Sequence, residues 1–302
     1  MRYLLLDLVR AVAIILLMTA HSAQSVGCWI GKAFGVQGFY YVTIGGISVT
    51  IFLVLSGLLL GLLYQDRKIG WFDFMAIRVI RLYPVYYMAV LFAGIPIYFF
   101  AAHYSGSLSE AIHALRPSDI ILTISGLYSV VGKYGGPFVG TAWFIGVIMS
   151  MYMMYPPIAW CMRKNPHLTV ISLLTVSVVF RLALGDYQNI PSRPLDCFPL
   201  CRVGEFTFGV YLAHVVRRDF WLVLNKTSQF EGIITFISEL SFPLFLVHSP
   251  LRFIIRFMTD HGAGKPLALA VFLIISILFS WALLIADEKI PRQRILGGLL
   301  RT

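Results

Sequence analysis

Charge is what this chain has least of. Of its 302 residues, 13% are Asp, Glu, Lys or Arg, while 59% are hydrophobic. A soluble domain carries roughly a quarter charged residues. A soluble globular protein is therefore excluded, and an all-α integral membrane protein with about eight to ten transmembrane helices is expected. Acids are scarcer than bases, 14 against 24, for a formal net charge of +10. In so apolar a chain, with mean hydropathy +0.82, that excess belongs on basic loops facing anionic lipid, and no nucleic-acid partner is expected. Cysteine is nearly as scarce. Cys28 and Cys161 stand alone, and Cys197 and Cys201 (CFPLC) have no histidine or further cysteine close by, so no metal site is expected. If their loop lies outside, a disulfide is open to that pair; two unpaired thiols is the simpler reading. A small-residue cleavage site after the first apolar stretch is also missing, so that stretch reads as a permanent helix rather than a removable signal. Too little polar sequence is left for a separate soluble domain, and residues 1–302 read as one transmembrane unit.

The first apolar stretch, Leu4 to Ser22, organises the rest. It is long enough to cross a bilayer as a helix, yet it holds Asp7, Arg10 and His21. An ionisable side chain near mid-membrane costs roughly 2.5–3.5 kcal/mol on insertion scales, so each should face protein or a wet cavity. Arg10 and His21 are eleven residues apart, close to three whole turns, and project from one face about 16 Å apart along the axis. Asp7, one turn before Arg10, joins that face and can hold the guanidinium. The alternative has Arg10 snorkelling to the headgroups and His21 in a loop.

The stretch LDLVRAVAIILLMTAHS resembles the opening helix of the acyltransferase-3 family, membrane proteins that transfer acyl groups to carbohydrates and related acceptors; Arg10, ten residues, then His21 carries the match. Five further wordings follow in the family's order. IFLVLSGLLLG, residues 51–61, resembles the second helix through Ser56 and Gly57. Packing is the plainer reading of that small pair. RVIRLYPVYY resembles the third-helix entrance: a basic hinge, Gln65 to Leu82, precedes a span opening at Tyr83-Pro84, with proline in the first turn. Arg78 and Arg81 can anchor the inner membrane face, cradle the phosphates of coenzyme A, or do both. TAWFIGVIMSMYMMYP resembles the tryptophan-led helix, but Ile148 stands where many members carry a glutamate. Trp143 reads as an interfacial belt residue before a substrate-stacking one. RVGEFTFGVYLAHVV resembles the Glu-Phe-x-x-Gly helix, where Glu205 either caps the helix with Arg202 or lines the cavity. LSFPLFLVHSP resembles the penultimate helix, ending in His248, with Phe245 in place of the usual tyrosine. His248 is either a second acid/base or acceptor ligand, or hydrogen-bonded helix glue. Between these last two, only Asp219 to Leu240 stands where the family has two crossings, so the chain looks shortened by one helical hairpin.

With a cytoplasmic N-terminus, and with residues 119–131 re-entrant or interfacial rather than crossing, eight crossings put Arg67, Lys68, Arg78, Arg81, Arg163, Lys164, Arg217 and Arg218 inside, the sign expected. The resemblance then implies a multi-pass protein of the cell membrane. Acyl-CoA, acetyl-CoA in the simplest case, is the expected co-substrate, with no bound cofactor expected. Arg78, Arg81 and Ser56 are the expected acyl-CoA-binding residues; Asp7, Arg10 and His21 are the expected catalytic group, sharing one watery tunnel. His21 acts as general base towards a hydroxyl of a sugar, glycan or lipid-linked saccharide. His248, Trp143 and Glu205 are the second-line candidates for the acceptor or a second acid/base. Two other readings stay open: a transporter or flippase of a lipid-linked sugar or small acid, with the polar stripe lining a path, and a non-catalytic remnant. Oligomeric state is not legible.

Overall fold

A computed structural model describes residues 3–26, 44–64, 69–133, 135–184, 197–216, 229–292 and 296–297. Calls made on Cys28, the start of the second apolar run, Arg67, Lys68, the loop over 185–196, Arg217, Arg218, the break over 219–228 and half of the tail lie outside them. Among the described residues there are helices and no strand: α1 (Leu4–Ser25), α2 (Ile44–Tyr64), α3 (Trp71–Ala89), α4 (Ile95–Tyr104), α5 (Leu108–Ala114), α6 (Pro117–Ser125), α7 (Trp143–Lys164), α8 (Pro166–Leu184), α9 (Val203–Val215), α10 (Glu231–Leu251), α11 (Phe253–Asp260) and α12 (Lys265–Glu288).

Seven segments among the described residues are long and apolar enough to cross a bilayer: α1, α2, α3 with α4, the stretch ending in α7, α8, α10 with α11, and α12. α9, at thirteen residues, is shorter and packs against α2 and α8. The burial pattern carries the membrane assignment further. α8 buries Thr169, Val170 and Ser177 while Leu168, Ile171, Val178, Val179 and Leu182 are exposed. α12 turns Ala268, Ser276, Ser280 and Asp287 inward and Leu267, Ile274, Leu278, Trp281 and Ile285 outward. Polar groups turned inward, on α12 beside buried Phe272 and Leu283, with a broad face of large apolar groups outside, is the arrangement lipid permits and water penalises. α7 is the central element, burying eleven residues from Trp143 to Met162.

Two boundaries differ from the sequence reading. α3 begins at Trp71, so the part of the basic hinge from Trp71 onward is helical and Pro84 sits inside the helix, not in its first turn. The helix then continues through a wide five-residue turn, Val90–Gly94, into α4. Pro96 has no N–H for the carbonyl four residues earlier and its ring crowds that carbonyl; a widened turn relieves both. Next, α10 runs unbroken from Glu231 to Leu251, joining the C-terminal part of the Asp219–Leu240 stretch to the histidine-bearing one.

The region over 119–131 does not cross. α6 is nine residues long and stops at Gly126, whose φ of +69° suits a residue without Cβ. Its last carbonyls accept hydrogen bonds from three tyrosines of α3: Tyr86 Oη donates to Thr123 O (2.7 Å), Tyr87 Oη to Ile124 O (2.6 Å) and Tyr83 Oη to Ser125 O (2.5 Å). Those tyrosines lie about 18–24 Å from the start of the 34-residue α3–α4 span and about 25–32 Å from its end. The short helix thus enters the bundle to mid-depth and turns back, its freed carbonyls buried in protein and paired, as non-crossing backbone at that depth requires.

Candidate active site

α1 is a single helix through His21, so the loop alternative for His21 does not hold. α10 packs on α1 in parallel, and polar contacts mark the seam at both ends. Near the start of α1, buried Asp7 accepts from Ser238 Oγ at 2.7 Å and lies 3.8 Å from the Arg10 guanidinium. Near its end, the rings of His21 and His248 stand 5.1 Å apart, tilted by 38°. Just beyond them Arg252 Nε donates to Ser25 Oγ at 2.7 Å, and Ser25 Oγ donates to His21 O at 2.7 Å. His248 is buried, and its Nδ1 lies 3.1 Å from Leu244 O. A carbonyl only accepts, so Nδ1 carries a proton; in the neutral ring Nε2 then keeps its lone pair.

A cavity of about 530 Å³ opens between α1, α2, α3, α7, α10 and α12. Five of the expected residues line it: Asp7, Arg10, Ser56, Arg78 and Arg81. Arg10 therefore faces protein and cavity rather than snorkelling. Arg78 is buried, its guanidinium carbon 4.9, 5.2 and 5.6 Å from the ring centres of Tyr64, Phe74 and Tyr152. These rings supply the negative face that no carboxylate does among the described residues. Ile148 lines the same wall, where a glutamate would have added charge.

Phe52, Phe144 and Phe245 also line this cavity. Phe245 lies 4.9 Å from Phe144 and 6.1 Å from Phe52, centre to centre, and 6.1 Å edge-on from His248. His21 and His248 are not in the lining. The expected single tunnel from Arg10 to His21 is thus not formed by this cavity alone: phenyl rings stand between its inner end and the histidine pair.

Two expected residues lie elsewhere. Glu205 Oε1 accepts from Arg202 Nη1 (2.8 Å), Arg181 Nη2 (2.9 Å) and Thr50 Oγ1 (3.2 Å), tying α2, α8 and α9 together. It goes beyond a cap and stays outside the cavity. Trp143 is buried at the head of α7, so the interfacial-belt reading is corrected: the preceding Thr141 donates to Phe245 O (3.0 Å) and draws this end of α7 into the core. The small pair of α2 is a packing device as well. A Cβ on Gly57 would meet Phe206 O at 2.0 Å, and one on Gly209 would meet Val54 O at 2.0 Å, so α2 and α9 cross backbone to backbone. Sequence reasoning did not find Ser238, Ser25, Arg252 or the rings around Arg78; only their partners across the bundle single them out.

Among the described residues, an all-helical bundle with an apolar outer face, a cationic cavity at one end and a histidine pair further along the seam defines a multi-pass membrane protein. A family model described as an acyltransferase domain matches residues 3–221. The chain belongs to the acyltransferase-3 family. It is similar to Acyltransferase MdmB of Streptomyces mycarofaciens, 23% identical over 205 residues, which is 62% of this chain and 51% of that protein. The chain thus spans about half the length of the curated relative it matches. No solved structure matches it.

Proposed function

We propose that the protein moves an acyl group, acetyl in the simplest case, from cytoplasmic acyl-CoA to a hydroxyl of a sugar, glycan or lipid-linked saccharide at the cell membrane, with the N-terminus inside. The observation that carries this reading is the convergence of Arg10, Ser56, Arg78 and Arg81 on one cavity whose inner end, at Phe245, abuts His248 and through it His21. The guanidinium groups suit the phosphates of coenzyme A. The long pantetheine arm suits a cavity that leads inward past apolar walls. His21 takes the proton of the acceptor hydroxyl as its oxygen forms a bond to the thioester carbon. The carbon–sulfur bond breaks, and the departing thiolate takes a proton to leave as free coenzyme A. His248, with Nε2 unprotonated, holds His21 in place and shares that proton. Asp7 and Ser238 fix Arg10 at the cavity wall.

Thiol release measured on purified protein with acetyl-CoA and a membrane-glycan extract tests the reading. Coenzyme A should appear only when both are present, with acetyl esters formed in equal amount. Transport of a lipid-linked sugar without thiol release would replace it.

A further inference from the structure

We propose that Arg292, from the segment that follows α12, is a second donor-binding arginine: with Arg78 on α3 it grips the phosphates of acyl-CoA from a separate element of the cavity wall. This deepens the reading above and rests on it. Both side chains line the one cavity. Arg78 is 5% exposed, and its Nε is buried with no hydrogen-bond partner among the described residues. The Nε of Arg292 is in the same condition, while its Nη2 donates to Asp287 Oδ1 at the end of α12. Asp287 is itself buried. It therefore aims Arg292 and still leaves one donor edge of the guanidinium unspent.

The charges around the cavity point to the kind of ligand. Arg10, Arg78, Arg81 and Arg292 face Asp7, Glu239 and Asp287. Asp7 is engaged by Ser238 and Arg10, and Asp287 by Arg292. Two buried Nε donors on separate elements, α3 and the segment after α12, remain for an anion. Burying the Arg78 guanidinium without a carboxylate beside it is costly, Arg292 is held by Asp287 with its side chain 31% exposed, and planar bidentate donors match phosphate oxygens. A ligand with phosphate groups at several positions can satisfy both at once. Arg292 lies beyond the family match over residues 3–221, as do Ser238, Glu239, Ser241 and Phe245 on the same wall. The C-terminal part is thus a working wall of the site.

The test compares two donors on the purified full-length protein: acetyl-CoA, and acetyl-pantetheine, which keeps the thioester arm but lacks the 3′-phosphoadenosine diphosphate. Arg292→Gln should raise KM for acetyl-CoA about tenfold or more, the loss of one charge-assisted hydrogen bond. KM for acetyl-pantetheine and kcat for both donors should stay the same. Arg292→Lys should recover part of the loss, and calorimetric binding of adenosine 3′,5′-bisphosphate should weaken in the same order. A purely structural Arg292 would shift both donors equally, and that result, or no shift at all, overturns the clamp. If Arg292→Gln does not fold, the Lys variant gives the same two-donor comparison. Wild-type protein that neither binds the bisphosphate nor releases thiol would instead sink the acyl-CoA reading itself, and the clamp with it.

Discussion

Adding one methyl group at Gly209 should loosen the protein, although helix propensity argues the opposite. Alanine is favoured over glycine in a helix interior by about 1 kcal/mol. At Gly209 the new Cβ would lie 2.0 Å from Val54 O, 2.8 Å from Leu58 N and 2.9 Å from Val54 C. Carbon-to-oxygen contacts settle at about 3.4 Å, so α2 and α9 must part by about 1.4 Å. The obstruction is backbone, which cannot swing away as a side-chain tip does. Overpacking of this kind costs about 1–3 kcal/mol, and more where the neighbour cannot yield. The shift also pulls Glu205, one turn earlier on α9, from Thr50 on α2, whose hydrogen bond is already 3.2 Å long. The net expectation is a loss of about 2 kcal/mol, read as earlier thermal unfolding in detergent by tryptophan fluorescence and as a smaller monodisperse fraction. Gly57→Ala should behave alike, because its Cβ would meet Phe206 O at 2.0 Å. Gly232→Ala is the control: nothing lies within 4 Å, so propensity alone acts and stability should hold or rise. If Gly209→Ala matches Gly232→Ala, the backbone-to-backbone crossing is wrong.

Other outcomes follow from the same geometry. Glu205→Gln removes the carboxylate charge that Arg181 shares with Arg202, whose side chain is 4% exposed; breaking a buried pair costs about 3–5 kcal/mol, and folded yield should fall sharply. Tyr86→Phe strips Thr123 O of its buried donor, at about 1–3 kcal/mol, and hydrogen exchange over residues 117–126 should speed up while α10 stays protected. Phe245→Leu thins the rings at the inner end of the cavity, so transfer from butyryl-CoA relative to acetyl-CoA should rise several-fold in a competition assay; an unchanged ratio would remove the phenyl rings from any role in acyl selection.

Much of this architecture was legible in the chain because the membrane writes it in composition. The α1, α8, α9 and α12 boundaries follow the apolar runs to within a few residues, and the Arg10-to-His21 spacing placed both on one helix. The non-crossing of residues 119–131 was readable from charge: a crossing would have sent Arg163, Lys164, Arg217 and Arg218 to the outer side. What composition could not supply was pairing across the bundle. Tyr83, Tyr86 and Tyr87 look like membrane aromatics until three carbonyls of α6 are found beneath them. Trp143 has the residue type of an interfacial anchor, and burial depends on Thr141 reaching Phe245, 104 positions away. Pro84 carries the mark of a helix start, yet α3 had already begun thirteen residues earlier because its basic turn is amphipathic enough to be helical. The histidine pair joins residues 227 positions apart, and no spacing rule reaches that far.

The central claim is that an imidazole in the α1–α10 seam takes the proton of the acceptor hydroxyl. His21→Gln tests it most directly: purified variant and wild type are compared for acetyl transfer from acetyl-CoA, with bisphosphate binding as the measure of an intact donor cavity. Transfer should fall by about 10²–10⁴-fold, the usual contribution of a positioned general base, while binding stays at the wild-type level. Transfer that continues at the wild-type rate with binding intact would contradict the account.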